Sequence, residues 1–152
     1  FIDDVFKIKS GKRLTKAEMT KGTIPFIGAT DGSNGITEFI GNKNASLDKN
    51  VLGVNYNGSV VENFYHPYKA VFSDDVKRLT FSKTDGNRHK YLFSKSVILM
   101  QKVKYEYGYK FNGERMKRQK IMLPTDKNGN PDFAFMEQFM ALLEYQKLKC
   151  YL

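Results

Sequence analysis

The sequence predicts a single α+β domain, in which short, mostly antiparallel strands and hairpins combine with a few helices and the chain ends in an amphipathic helix. Three observations support this class. Runs of isoleucine, valine, phenylalanine and tyrosine alternate with glycine, asparagine and aspartate turn signals over residues 1–81. Two later stretches carry apolar residues at three- and four-residue spacing, as helices do. The 152 residues, 41% of them hydrophobic, are enough to bury one core without disulfides.

Short strands are predicted where β-branched and aromatic residues lie between turn signals. Asn57-Gly58 is the strongest hairpin signal, and Asn34-Gly35 indicates another tight reversal where a positive φ is needed. Pro67 ends a strand, because proline has no amide hydrogen to donate to a neighbouring strand. The predicted strands are residues 5–8, 24–29, 36–40, 50–56, 59–65, 71–72 and 76–81, with a further apolar strand ending at Leu123-Pro124.

Two helices are predicted in the second half of the chain. Residues 88–104 present a broad apolar face, and a second helix begins after Asp132, whose carboxylate is suited to accept from a free amide of the first turn. This helix is expected to run from Phe133 to the end of the chain, where no glycine or proline stops it. We therefore expect the chain to be part of a longer polypeptide. The apolar stripe of the last helix consists of Phe135, Met136, Phe139, Met140, Leu142, Leu143 and Leu148.

The charge distribution favours a polyanion as a partner. The net charge is +9, and the cations are concentrated in two segments, residues 7–21 and 110–120, the second preceded by three tyrosines. Lysine and arginine displace counterions from phosphates, and tyrosine offers a flat ring and a hydroxyl. A solvated surface is the alternative interpretation of both segments. Between two predicted strands, the polar loop at residues 30–35 could present side chains to base edges or could only turn the chain.

Residue patterns typical of catalysis are missing. Neither common glycine-rich nucleotide loop occurs, and one cysteine with two histidines cannot form a zinc cluster. Adjacent carboxylates Asp74 and Asp75 fit a turn better than a Mg²⁺ site, and His66 is interpreted as a strand-edge residue. No apolar run is long enough to span a membrane. The single cysteine, Cys150, indicates a reducing, cytoplasmic setting, and the chain alone is predicted to catalyse nothing.

An ordered set of short motifs resembles the target-recognition domain of the DNA-specificity subunit of type I restriction-modification enzymes, and the related specificity domains fused to type II enzymes. The resemblance covers nearly the whole chain. One departure is Val61, where the family pattern has a small residue, often glycine. The motifs, in chain order, are Ile8-Lys9-Ser10-Gly11-Lys12, Gly22-Thr23-Ile24-Pro25-Phe26-Ile27, Asn34-Gly35-Ile36, Gly58-Ser59-Val60, Phe64-Tyr65-His66-Pro67, Ser73-Asp74-Asp75-Val76, YGYK, RMK, Leu123-Pro124, NGNPD and FMEQF.

The resemblance implies a non-catalytic module that reads one half of a double-stranded DNA target. Residues 1–131 would form the recognition domain, and residues 132–152 would begin a spacer helix that docks methyltransferase and endonuclease subunits and a second recognition domain. S-adenosylmethionine, ATP and Mg²⁺ are expected only in those partner subunits. The partner-binding residues would be Phe135, Phe139, Leu142 and Leu143. The DNA-binding residues would be Lys12, Arg13, Lys16, Lys110, Arg115, Lys117 and Arg118, mainly at phosphates, and Thr30, Asp31, Ser33, Asn34, Tyr107 and Tyr109 at base edges.

Two other classes of function stay open at this point. A non-catalytic RNA-binding module would use the same basic and aromatic residues, but it should favour single strands over duplex DNA. A small metal-dependent hydrolase would depend on Asp74, Asp75 or His66.

Overall fold

The predicted α+β class is confirmed by the computed structural model, which describes residues 1–105 and 109–151. Within these residues the strands are β1 (Phe6–Ser10), β2 (Lys21–Ile27), β3 (Ile36–Ile40), β4 (Val51–Asn55), β5 (Asn63–His66), β6 (Val71–Phe72) and β7 (Val76–Phe81). The α-helices are α1 (Ile2–Val5), α2 (Arg88–Leu99), α3 (Gly113–Lys117) and α4 (Phe133–Lys149). None of these helices is both long and apolar enough to cross a bilayer.

The strands form two sheets. The larger sheet has the order β1-β7-β4-β5, and all its neighbouring strands are antiparallel. The smaller sheet has the order β3-β2-β6, and its β2–β6 pair is parallel, which is the exception to the mostly antiparallel prediction. The sheets meet where β6 leads into β7, because the amide of Ser73 donates to the carbonyl of Ile27 at 2.9 Å.

The main core lies between the larger sheet and the helices. Leu52, Val54 and Leu79 of the sheet are fully buried, and they pack in one cluster with Tyr91 of α2 and Met116 of α3. Val51 and Val76 belong to a second buried cluster, so β4 is buried on both faces, and this burial removes apolar area from water. Two smaller clusters of buried residues surround β2 and β6.

Several element boundaries differ from the prediction. The helix predicted at residues 88–104 ends at Leu99, and a 3-10 turn at Lys102–Lys104 follows, which leaves Val103 86% exposed. Helices α1 and α3 were not predicted, because each is only one turn long and has too few residues to show a helical period. The apolar segment before Pro124 does not form a strand.

The hairpin between β4 and β5 also differs, because Val61 breaks the strand predicted at residues 59–65. Its φ is +69°, in the left-handed region that suits glycine and that a β-branched side chain rarely adopts. The residue is fully buried, and its amide donates to the carbonyl of Asn55 at 2.9 Å. The departure from the family pattern therefore coincides with a strained backbone, held by burial and a hydrogen bond.

The predicted cap and start of the last helix are confirmed. Asp132 accepts a hydrogen bond from the amide of Phe135 at 2.9 Å, and Met136 is fully buried. The helix packs on the first half of α2, where Phe139 contacts Phe93 edge to face at 6.1 Å. Glu144 lies 2.7 Å from the Arg88 guanidinium and 2.9 Å from Nε2 of His89. Helix α4 is thus held against α2 by apolar contacts, by the polar cluster at Glu144 and by a second ion pair between Lys90 and Glu137 at 3.5 Å.

Candidate nucleic-acid interface

One end of the larger sheet brings several polar loops together, and we call it the loop end. It is formed by the last residues of β1 and β4, Ser10 and Asn55, and the first residues of β5 and β7, Asn63 and Val76. Loop 28–35 of the smaller sheet joins it, because the amide of Ser59, in the β4–β5 turn, donates to the carbonyl of residue 29. The turn after β1, the β4–β5 turn, the segment before β7 and loop 28–35 therefore share one surface.

The turn after β1 presents Lys12 and Arg13 to solvent at this end. The Lys12 amide donates to the carbonyl of Phe72 at 2.9 Å, which fixes the backbone of the turn. Gly11 is required there, because a Cβ at this position would lie 1.9 Å from the carbonyl oxygen of Ser73. The guanidinium of Arg13 lies 3.8 Å from Asp74 in an exposed, loose ion pair, so it stays available to an incoming anion.

Loop 28–35 is held in a defined conformation. Three consecutive residues, Ser33, Asn34 and Gly35, have positive φ values of 50°, 53° and 78°. The Gly35 amide donates to the carbonyl of residue 32, and the Asn55 side chain donates to the Thr30 carbonyl at 2.9 Å. The Asn34 side-chain amide donates one of its two N–H groups to the Tyr68 hydroxyl at 2.8 Å, which leaves its carbonyl oxygen and its second N–H to meet a ligand. Asp31, like Ser33, is exposed on this loop.

Helix α3 carries Arg115 and Lys117 of the second basic segment, and Arg118 follows its last residue. The Arg115 guanidinium carbon lies 3.8 Å from the centre of the Tyr109 ring, and Nη1 of Arg115 donates to the Lys110 carbonyl at 2.9 Å. Arg118 lines a polar cleft of about 380 Å³ together with Tyr105, Tyr109 and Arg115. The stacked arginine is thereby oriented before any ligand arrives. Tyr107, which was predicted to face base edges, lies outside the described residues.

Lys117 is partly neutralised by a neighbour on the same helix. Its Nζ lies 2.8 Å from Oε1 of Glu114, and this hydrogen bond raises the pKa of Lys117 and lowers that of Glu114. Both side chains are exposed, so the pair is readily exchanged for another anion. We therefore expect Lys117 to contribute less to anion binding than Arg115.

The structure connects α3 to the loop end through Lys77, which is not among the predicted DNA-binding residues. Nζ of Lys77 donates to Oγ of Ser10 at 2.8 Å and lies 4.6 Å from the centre of the Tyr56 ring. A Cβ on Gly113, the first residue of α3, would lie 3.8 Å from Cε of Lys77. The only sequence signal was a lysine just after the Asp74-Asp75 turn, and nothing in the sequence shows that a strand-end lysine joins such a cluster.

Lys16 is not brought to the loop end. It lies in the 3-10 turn Lys16–Glu18 and lines a groove of about 520 Å³ with Met19, Phe39 and Ile40. That groove lies where β2 begins, whereas loop 28–35 follows the other end of the same strand. The predicted DNA-binding residues in the described part of the chain therefore fall on the loop end and on α3 with the residues just before and after it, and Lys16 lies apart from them.

The groups considered for catalysis have structural roles. His66 is fully buried, which lowers its pKa to about 4, and Nδ1 lies 3.3 Å from the Tyr68 hydroxyl. It is therefore neutral and shielded from solvent at neutral pH. Asp75 accepts from the Asn57 side chain at 2.9 Å. In the described ranges, no group of three or more histidine, cysteine, aspartate or glutamate residues could hold a metal ion.

The residues predicted to bind a protein partner lie on the surface of α4. Phe135 is 46% exposed, and Phe139, Leu142 and Leu143 are 41%, 54% and 39% exposed. Phe135 and Phe139 stack on each other with ring centres 5.7 Å apart. This row therefore presents an apolar surface, although Phe139 also contacts α2.

Comparison with known proteins gives consistent results over nearly the whole chain. A family model described as the type I restriction modification DNA specificity domain matches residues 1–149. The specificity subunit S.BcgI of a type II restriction enzyme from Heyndrickxia coagulans is 67% identical over 143 residues, which are 94% of this chain and 42% of that protein. The chain thus spans less than half the length of that curated relative.

Two solved structures share the fold. The S subunit of a type I restriction-modification system from M. genitalium matches 99% of this chain and 39% of its own, with a TM-score of 0.66 and 19% identity. The HsdS subunit from Thermoanaerobacter tengcongensis matches 97% of this chain and 36% of its own, with a TM-score of 0.56 and 11% identity. At these identities the likeness concerns the fold alone.

Proposed function

The chain belongs to the family of type I restriction-modification DNA specificity domains, and from this premise we propose that it reads one half of a target site in double-stranded DNA. The observation that carries the proposal is the composition of the loop end, where Lys12 and Arg13 share a surface with a hydrogen-bonded polar loop and Lys77 contacts the start of α3. Cations at the rim would bind phosphates and fix the register of the duplex, whereas the loop would read bases. A single recognition domain corresponds to a single half-site.

The chemistry of the residues supports both phosphate contacts and base contacts. Lys12, Arg13 and Arg115 offer charge to phosphates without sequence information. Asp31 can accept from the amino group of cytosine, and Ser33 can both donate and accept at base edges. Because loop 28–35 is already ordered by internal hydrogen bonds, little conformational entropy would be lost when it enters a groove. The domain itself would catalyse nothing.

Selection from a random duplex library is the experiment that tests this function. The purified chain is expected to enrich one short DNA sequence and to bind duplex DNA more tightly than single-stranded RNA of equal length. Fluorescence anisotropy with both nucleic acids in competition measures the preference. Tighter binding to single-stranded RNA would favour the RNA-binding alternative, and binding without enrichment would contradict sequence reading.

We further propose that α4 binds protein partners. Its exposed apolar row would pack against the matching helix of a second recognition domain and would provide a seat for methyltransferase and endonuclease subunits, which would hold S-adenosylmethionine, ATP and Mg²⁺. Support comes from the exposure of Phe135 and Leu142, since a contiguous apolar surface on a charged protein usually marks an interface. The last five residues of α4, beyond Glu144, include two further exposed apolar residues, Tyr145 and Leu148.

Leu142→Asp is expected to abolish capture of the methyltransferase subunit while the domain stays folded. Leu142 is 54% exposed, so the substitution should change the free energy of unfolding by only about 0.5 kcal/mol. Co-purification of the two subunits measures capture, and urea unfolding measures stability. Met136→Asp is the matched control, because Met136 is fully buried and its replacement should release α4 from the domain.

The pair Phe139→Asp and Leu143→Asp is also expected to abolish capture, but Phe139 contacts Phe93 and so is a less clean probe of the surface. Full capture by the Leu142 variant would show that the row does not bind this partner. Unfolding of the Leu142 variant would show instead that the row belongs to the core.

A further inference from the structure

Lys77 occupies a recess at the centre of the loop end, unlike the exposed cations around it. The recess is formed by the end of β1, the first residue of the β4–β5 turn and the start of α3. Ser10 accepts from its ammonium at 2.8 Å, and the Tyr56 ring covers one side at 4.6 Å. The nitrogen is therefore fixed at one point by contacts with different elements of the fold.

The ammonium group keeps donors for a further ligand. It has three N–H groups, and Ser10 takes one of them. In residues 1–105 and 109–151, no carboxylate lies within the 4.0 Å of an ion pair with Lys77. The lysine has thus lost part of its water shell without gaining an anion, and burial lowers its pKa although Asp74 and Asp75 raise it. An incoming anion would supply the missing interaction.

The position of the recess favours a phosphate over a base as that anion. Base edges lie at the floor of a major groove about 8.5 Å deep, so a side chain must project from the protein to reach them. Phosphate oxygens are on the outside of the duplex and can enter a shallow recess. Lys77 is retained in the recess by Ser10 and Tyr56, so it is suited to bind a phosphate that enters the recess and not to reach a base edge.

The nearby aspartates do not occupy the site. Asp74 faces the guanidinium of Arg13 at 3.8 Å, and Asp75 accepts from the Asn57 side chain at 2.9 Å. Their charges are therefore partly offset by groups other than Lys77.

We propose that Lys77 anchors one phosphate of the duplex at the centre of the loop end, with Ser10 and Tyr56 holding its ammonium group in place. The inference rests on the proposed function, because it requires that the loop end binds double-stranded DNA. It adds a contact at a position fixed by the fold, between the rim cations and the reading loop, so this phosphate would set the register of the duplex against loop 28–35.

Lys77→Met tests the proposal, because methionine keeps an apolar stem against Tyr56 and removes the charge. We expect the plot of log association constant against log salt to become shallower, with the magnitude of its slope reduced by about 0.9. Affinity at 0.1 M salt should fall about eightfold, for selected and random duplexes alike. Ser10→Ala should weaken binding with an unchanged slope, since the charge remains. Lys7→Met is the matched control, because Lys7 is exposed on the opposite face of the same sheet and the net charge falls equally.

Thermal unfolding of each variant is measured alongside, and Lys77→Gln replaces the methionine variant if that variant does not fold. A wild-type slope in the folded Lys77 variant would overturn this proposal, as would a loss confined to the selected sequence, which would indicate a base contact. Failure of the wild-type chain to bind any duplex would instead overturn the proposed function, so the two failures are distinguishable.

Discussion

Reversing two charges on α3, with Arg115→Glu and Lys117→Glu together, is expected to weaken binding to every duplex by more than about eightfold and by up to about 60-fold at 0.1 M salt, since each lost phosphate contact reduces the magnitude of the salt slope by about 0.9. The two residues are not equivalent. Arg115 is oriented by Tyr109 and by the Lys110 carbonyl, whereas Lys117 is already paired with Glu114 at 2.8 Å. We therefore expect Arg115 to account for about one unit of slope and Lys117 for less.

Titrations of specific and random duplexes at several salt concentrations measure this effect. The matched control is Lys147→Glu with Lys149→Glu, which changes the net charge equally in the last turn of α4. That variant should bind as the wild type does. Glu114→Gln should act in the opposite direction, because it releases Lys117 from its ion pair. An unchanged slope in the α3 variant would show that α3 does not contact the phosphate backbone.

The positions of several strands along the chain and the start of the last helix could be predicted from the sequence, because they depend on local patterns. The predicted limits of the strands at residues 36–40, 71–72 and 76–81 agree with the structure, as does the start of α4 at Phe133. Turn residues and alternating apolar residues determine these elements independently of distant contacts. The predicted strand at residues 59–65 was too long, because Val61 adopts a conformation that favours glycine and that burial enforces.

The candidate interface was only partly predictable, because it depends on which loops meet. Lys12 and Gly113 are far apart in the sequence, and the β1–β7 pairing together with the contact between Gly113 and Lys77 brings the start of α3 to the loop end. Lys16 belongs to the same basic segment as Lys12, yet it lies beside β2 and Phe39. A local count of charges cannot separate these two lysines, and it cannot identify Lys77 as part of the cluster.

The two proposed binding surfaces lie at different ends of the larger sheet. Val76, at the start of β7, belongs to the loop end, whereas Phe81, at the end of the same strand, contacts Phe133 of α4 with ring centres 5.4 Å apart. The six residues of β7 separate the two ends by roughly 17 Å, at about 3.3 Å per residue. The rigid sheet between them would keep a bound duplex at a fixed distance from the partner subunits on α4.

That rigidity depends on a buried ion pair beside the loop end. Arg78 of β7 has a side chain that is 7% exposed, and its guanidinium lies 2.9 Å from the Asp48 carboxylate. The same guanidinium donates to the carbonyls of Ser46 and Ser10, at 3.2 and 2.8 Å. It therefore ties the 41–50 segment to the end of β1, next to the Ser10 side chain that holds Lys77.

Asp48→Ala is expected to lower the free energy of unfolding by about 3–5 kcal/mol, because it leaves the Arg78 guanidinium buried without a counter-charge. Arg78→Met should destabilise less, since it removes the buried charge and leaves Asp48, 24% exposed, in contact with water. The double variant should then be more stable than Asp48→Ala alone. Urea unfolding followed by circular dichroism measures all three free energies. The double variant could instead be the least stable of the three. That result would show that the hydrogen bonds of Arg78 to Ser10 and Ser46 stabilise the fold, and that burial of an unpaired charge is not the dominant effect.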